Sequence, residues 1–154
     1  MTVTNVKERL AAICAGIEGI AGADRSPRSL ARANLPYVVV LTGEGQRFTG
    51  RDGLGGAPDM PIVRRVYRLA LIVKAWATGV ETEAEEACEP FFERFEDAFV
   101  LRHGLYLNDT TTSLPEVLDA WLGNDTGVIN IELAEKAYAG VMFDLWVETV
   151  RVVE

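Results

Sequence analysis

Ile62-Val63-Arg64-Arg65-Val66-Tyr67-Arg68-Leu69-Ala70-Leu71-Ile72-Val73-Lys74-Ala75-Trp76-Ala77 is the stretch that decides the fold. Its odd positions read Tyr67, Leu69, Leu71, Val73 and Ala75, while its even positions include Arg64, Arg68 and Lys74. Side chains on a strand alternate between faces, so this period of two predicts a strand over 62–77. One face enters a core and the other meets water or a partner. At about 3.3 Å per residue it would span roughly 50 Å, long enough for one end to project beyond the body.

Downstream of it, apolar residues change to helical spacing. Ala84, Cys88, Phe91, Phe95, Ala98 and Phe99 make one buried stripe, predicting a helix over 82–102. Thr82 and Glu85 fit a capping box with Val80 as a staple, and Pro90 either kinks the helix or marks a second start. Residues 104–112 read as loop, and Ser113 to Leu122 as a short helix opened by Ser113, Pro115 and Glu116. The C-terminus reads as a hairpin. Val128 to Leu133 alternates Ile129 and Ile131 with Asn130 and Glu132. Its partner over 139–150 sets Val141, Phe143, Leu145 and Val147 against Asp144 and Glu148.

Upstream, Val6, Leu10, Ile13, Ile17 and Ile20 recur at three- and four-residue steps, which predicts an amphipathic helix over 5–21 stopped at Gly22. A polar connector from Ala23 to Asn34 follows, then a short strand over 37–41 between Pro36 and Gly43. Between Gly43 and Pro58 lie six of the fourteen glycines, together with Arg47, Arg51 and Asp52. So many glycines predict a long flexible excursion over 43–60, or a loose hairpin, that orders on assembly. The expected architecture is a single α+β domain over 1–154. It has a mixed, mainly antiparallel sheet of four to five strands with two main helices packed on it.

Composition narrows function. The 154 residues are 49% hydrophobic and 25% charged, the mix of a globular domain, and no apolar run approaches the roughly 20 residues of a membrane span. Residues 1–9 lack the pattern of a secretory signal, which makes a cytoplasmic protein the default expectation. Cys14 and Cys88 sit inside helical apolar patterns and read as buried thiols. The net charge of −8 is divided unevenly: residues 1–80 hold 11 Lys/Arg and 6 Asp/Glu, net +5, whereas residues 81–154 hold 4 and 17, net −13. Overall acidity argues against broad binding to nucleic-acid phosphates. The division predicts a molecule with a basic and an acidic side, meeting its copies head to tail in a salt-sensitive way.

No constellation for catalysis emerges. The one histidine, His103, falls at the end of the acidic helix, where a cation favours the helix dipole. Zinc needs three or four suitable ligands at workable spacing, and no such pattern occurs. Ser26, Ser29 and Ser113 lie in no nucleophile elbow, and the glycine segment lacks the Lys-Ser/Thr of a phosphate loop. The adjacent Glu85 and Glu86 read as solvated surface. The expectation is a protein without enzymatic activity, cofactor or metal. Two aromatic features point instead to partners: Trp76 shares the even face with Ile72 and the cations Arg64 and Arg68, and Trp146 shares its face with Asp144 and Glu148. Trp and Arg are favoured at interface hot spots.

The order of these elements resembles a known family. An N-terminal helix, a short strand and a glycine-rich excursion are followed by the cationic strand Val66-Tyr67-Arg68-Leu69-Ala70-Leu71-Ile72-Val73. An acidic helix and the long hairpin Tyr138-Ala139-Gly140-Val141-Met142-Phe143-Asp144-Leu145-Trp146-Val147-Glu148 complete the series. This is similar to the tail terminator proteins of long-tailed bacteriophages and related gene-transfer particles, the group typified by the minor tail protein U of lambda. The resemblance covers most of the chain and rests on element order and pattern. It implies a hexameric ring in the tail-neck region of the virion, made in the bacterial host cytoplasm. Its partners would be the tail tube protein and the head–tail connector or neck protein, with no cofactor or turnover. DNA would pass through the ring without specific binding. Carried over by residue, the resemblance offers Arg47, Arg51 and Asp52, with the strand ends near Arg64 and Glu148, as ring or partner contacts. The runner-up is another neck or tail-completion protein of the same particle. The different-class alternative is a small-ligand-binding α+β domain whose glycine loop closes on a substrate.

Overall fold

A computed structural model describes residues 2–48, 62–100, 102, 103, 105, 114 and 116–150. The described elements are helix α1 (Thr2–Ala15), strand β1 (Gly22–Asp24), a 3-10 helix (Pro27–Arg32), strands β2 (Tyr37–Phe48) and β3 (Ile62–Ala75), helix α2 (Glu81–Phe99), and strands β4 (Val117–Leu133) and β5 (Lys136–Val150). The strands form one sheet in the order β1-β2-β3-β5-β4, with β1 parallel to β2 and every other pairing antiparallel. The fold is α+β: two helices on a five-stranded, mixed, mainly antiparallel sheet.

The period of two in the central strand does what it predicts. Leu69, Leu71 and Val73 enter the core beneath the helices, whereas Ala70 and Ile72 enter a smaller cluster on the opposite face. Ile62, which opens the strand, is 5% exposed, so that end does not stand bare. Helix α1 places Val6, Leu10, Ile13 and Cys14 in the helix-side core. It stops at Ala15, short of residue 21, and Gly19 then takes φ +91°, a conformation that costs glycine little. Helix α2 buries Ala84, Cys88, Phe91, Phe95 and Phe99 and runs through Pro90 as one element. Its N-cap is Val80, with no side-chain cap bond, so the expected Thr82–Glu85 box is not used. The Phe95 ring stacks on Phe143 of β5 at 4.3 Å between centroids and 7° between planes, which fixes the helix over the sheet.

Three expectations need correction. First, the strand expected over 37–41 continues to Phe48, and after a register shift between Thr42 and Gly45 residues 45–48 pair with β3 rather than forming a flexible excursion; residues 49–61 lie outside the described residues. Glycine serves close approach here. A Cβ at Gly43 would lie 2.6 Å from Val66 Cγ1 and 2.7 Å from the Val66 carbonyl oxygen, and one at Gly45 would lie 2.8 Å from the Arg65 guanidinium carbon. Second, Val117 to Leu122, expected in a helix, is the first part of β4, and Ser113 lies outside the described residues. Third, the connector from Ala23 to Asn34 holds β1 and the 3-10 helix, the latter capped by Ser26, whose hydroxyl accepts from the Arg28 N–H.

Candidate functional site

The two faces of the sheet differ. Both α-helices pack on one face and build the main core there. On the other, the described cover is the 3-10 helix, whose Leu30 packs with Val39, Ala70, Ile72, Ile131 and Tyr138. Around that cluster Tyr37, Leu41, Ile129, Leu133 and Met142 stay only partly buried. This open face contains most of the described residues expected to meet partners.

Strand register assembles its charged end. Arg64 lies opposite Glu148 and Arg68 opposite Asp144 across the β3–β5 ladder. Arg64 donates from Nε at 3.0 Å and from Nη2 at 2.7 Å to Glu148 Oε1. Its guanidinium also sits over the rings of Phe48 at 5.2 Å and Trp121 at 5.6 Å. Arg68 Nε approaches Asp144 Oδ1 at 3.6 Å. Trp146 pairs with Trp121 across β4–β5, and its ring packs where a Cβ on Gly123 would reach it at 3.0 Å. Opposite charges directly across a ladder stabilise it by about 0.2–1 kcal/mol, and a cation over an exposed ring adds about 0.5–1 kcal/mol. Arg64, Arg68, Trp146 and Glu148 are therefore brought together, but the two arginines are already partnered within their own chain.

The other expected residues fall elsewhere. Trp76 leaves the even face because a register shift between Ile72 and Lys74 inserts one residue; its side chain packs against the helix-side core, and its backbone N–H donates to the Ala137 carbonyl at 3.0 Å. Arg47 is exposed and pairs in register with Val63, while Arg51 and Asp52 lie outside the described residues. His103 follows α2 and places Nδ1 2.8 Å from Asp119 Oδ1, with both side chains exposed. Sequence reading missed Phe48, hidden among the glycines, and Trp121, assigned to a helix. Arg28 and Arg32, exposed on the 3-10 helix, were also missed, although a Ser-Pro start was visible at Ser26-Pro27.

Negative charge is concentrated on α2. Helix α2 carries eight carboxylates from Glu81 to Asp97, all exposed, with Arg94 its one cation. Lys74 binds Glu83, and that hydrogen bond holds the Glu83 carboxyl below its ordinary range. On the open side, burial and then the Asp24 carboxylate push the Tyr37 phenol up. Burial alone raises both Cys14 and Cys88, the latter to about 11, so neither thiol is an activated nucleophile. The surface has open depressions of about 280, 350 and 440 Å³, the first lined by Ile13, Ile17, Glu18, Arg94 and Arg102 among others. Among the described residues no group of three or more His, Cys, Asp or Glu is placed to hold a metal ion. Among the described residues no helix is long and apolar enough to cross a membrane.

No protein-family model matches the chain, and no curated protein matches it in sequence.

Proposed function

We propose that the chain is a structural virion subunit of tail-terminator type. Copies close into a hexameric ring that caps the tail tube, stops its polymerisation and forms the joint to the head connector. The observation that supports this reading most is the sidedness of the sheet. Helices carrying exposed carboxylates cover one face; the other, among the described residues, is covered only by the 3-10 helix that carries the exposed Arg28 and Arg32, and stays half-apolar. A closed ring of identical subunits joins two unlike patches of the same molecule, and such sidedness supplies them.

The function involves no turnover and no cofactor. DNA passes through the lumen without base-specific contacts, consistent with a net charge of −8. The protein acts in the tail-neck region of the particle after synthesis in the host cytoplasm. The test is tube assembly. Purified protein added to polymerising tail-tube subunits of the same particle is expected to shorten the tubes and to be found at one tube end. Tubes of unchanged length with bare ends would contradict the proposal.

A further inference from the structure

We propose that the open sheet face is a docking site for the acidic helix α2 of a second copy of this chain. This deepens the ring reading and rests on it, because it names the two surfaces that would meet.

The occupant follows from charge and shape. The open face combines partly buried Tyr37, Leu41 and Met142 with exposed Arg28 and Arg32 beside Leu30. The 3-10 helix that carries both arginines lies away from α2, since its Leu30 packs into the cluster on the face opposite both α-helices. The outer face of α2 displays Glu86 and Glu93, seven residues apart and so on one side of the helix, each exposed. Directly beyond its end stands Val100, 60% exposed, an apolar group able to enter the half-apolar surface. Within one chain these surfaces lie on opposite sides of the sheet and cannot reach each other. Between copies they meet, and each added copy presents the same free pair again. Such contact is head to tail and propagates from copy to copy, closing into a ring where the rotation between copies allows it.

Arg64 and Arg68 take a different part from the one their sequence suggests. Their carboxylate partners are Glu148 and Asp144 of the same chain, so reversing them perturbs strand pairing as well as any interface. Arg28 and Arg32 are exposed, so their reversal leaves the fold intact.

The experiment uses the full chain, with sedimentation velocity over a range of protein concentrations at low and high salt. Three samples are compared: the unaltered protein, the double variant Arg28→Glu/Arg32→Glu, and the double variant Glu86→Lys/Glu93→Lys. Circular dichroism melts first establish that each is folded. Each double variant alone is expected to associate more weakly at low salt, by on the order of tenfold, because two attractions become repulsions. An equimolar mixture of the two variants is expected to regain association. The reversed face of one then meets the reversed helix of the other, and subunits alternate. If rings form but both variants associate normally, this interface is overturned and the ring reading stands. Association that halts at a dimer overturns the head-to-tail contact, and a mixture that stays as weak as its components overturns the pairing of these two surfaces. A chain that remains monomeric under all conditions removes both readings.

Discussion

Replacing Phe95 with alanine tests what holds α2 on the sheet. The Phe95 side chain is fully buried, and its ring lies flat on Phe143 at 4.3 Å. Truncation removes the transfer free energy of the ring and leaves a cavity between helix and sheet, which together cost about 3–5 kcal/mol. For 154 residues the entropy of unfolding is about 0.3 kcal/mol/K, so a loss of about 4 kcal/mol lowers Tm by roughly 12 °C. Thermal melts at fixed protein concentration provide the measure, since association would add to apparent stability. A double-mutant cycle with Phe143→Ala should show coupling of about 0.5–1.5 kcal/mol from the stacked pair. A fall in Tm below about 3 °C, or strictly additive effects, would refute the packing described for α2 over β5.

Two further outcomes follow. Arg64→Glu should cost about 1–3 kcal/mol in urea unfolding, because it sets a second carboxylate opposite Glu148 and removes the contacts with Phe48 and Trp121. The exchange Arg64→Glu/Glu148→Arg should recover part of that, and an unchanged midpoint for the single reversal would show that the pair does not form. Stability should also decline in alkali. Burial pushes the Tyr67 phenol up to about 12 and the Cys88 thiol to about 11. The unfolded chain loses these protons first, at pH near 10 and 9, so the contribution is whole below those values and disappears as pH rises to the folded-state values. Urea midpoints that stay level between about pH 9 and pH 11 would contradict this.

How much of this was legible depended on whether period and pairing agreed. The strand through Tyr67, Leu69 and Leu71 is buried on both faces only in its middle, and its cations sit at regular even positions, so its period of two survived. The Cys88–Phe91–Phe95–Phe99 stripe was equally plain because one side of α2 is solvent. The start of β4 was not. Register shifts between Val117 and Asp119, between Leu122 and Asp125, and between Asp125 and Val128 each break the alternation. What remains, Leu114, Leu118 and Trp121 behind a Ser-Leu-Pro opening, imitates a helix. At Gly43 and Gly45 composition suggested freedom, whereas the reason for glycine is the nearness of Val66 and Arg65 on the next strand. Trp76 was assigned to the wrong face by the single inserted residue after Ile72. The charge division was visible in the sequence, but not its consequence in space. Only the fold shows that Arg64 and Arg68 are partnered at home while Arg28 and Arg32 stand exposed beside the open face.

The most direct test of the ring itself is solution mass at rising protein concentration in low salt, with imaging of the largest species. The account predicts a species of six times 16.9 kDa, about 101 kDa, seen as a closed ring with an open lumen. A mass that stays at 16.9 kDa at every concentration, or a population of closed two-fold dimers, would contradict it.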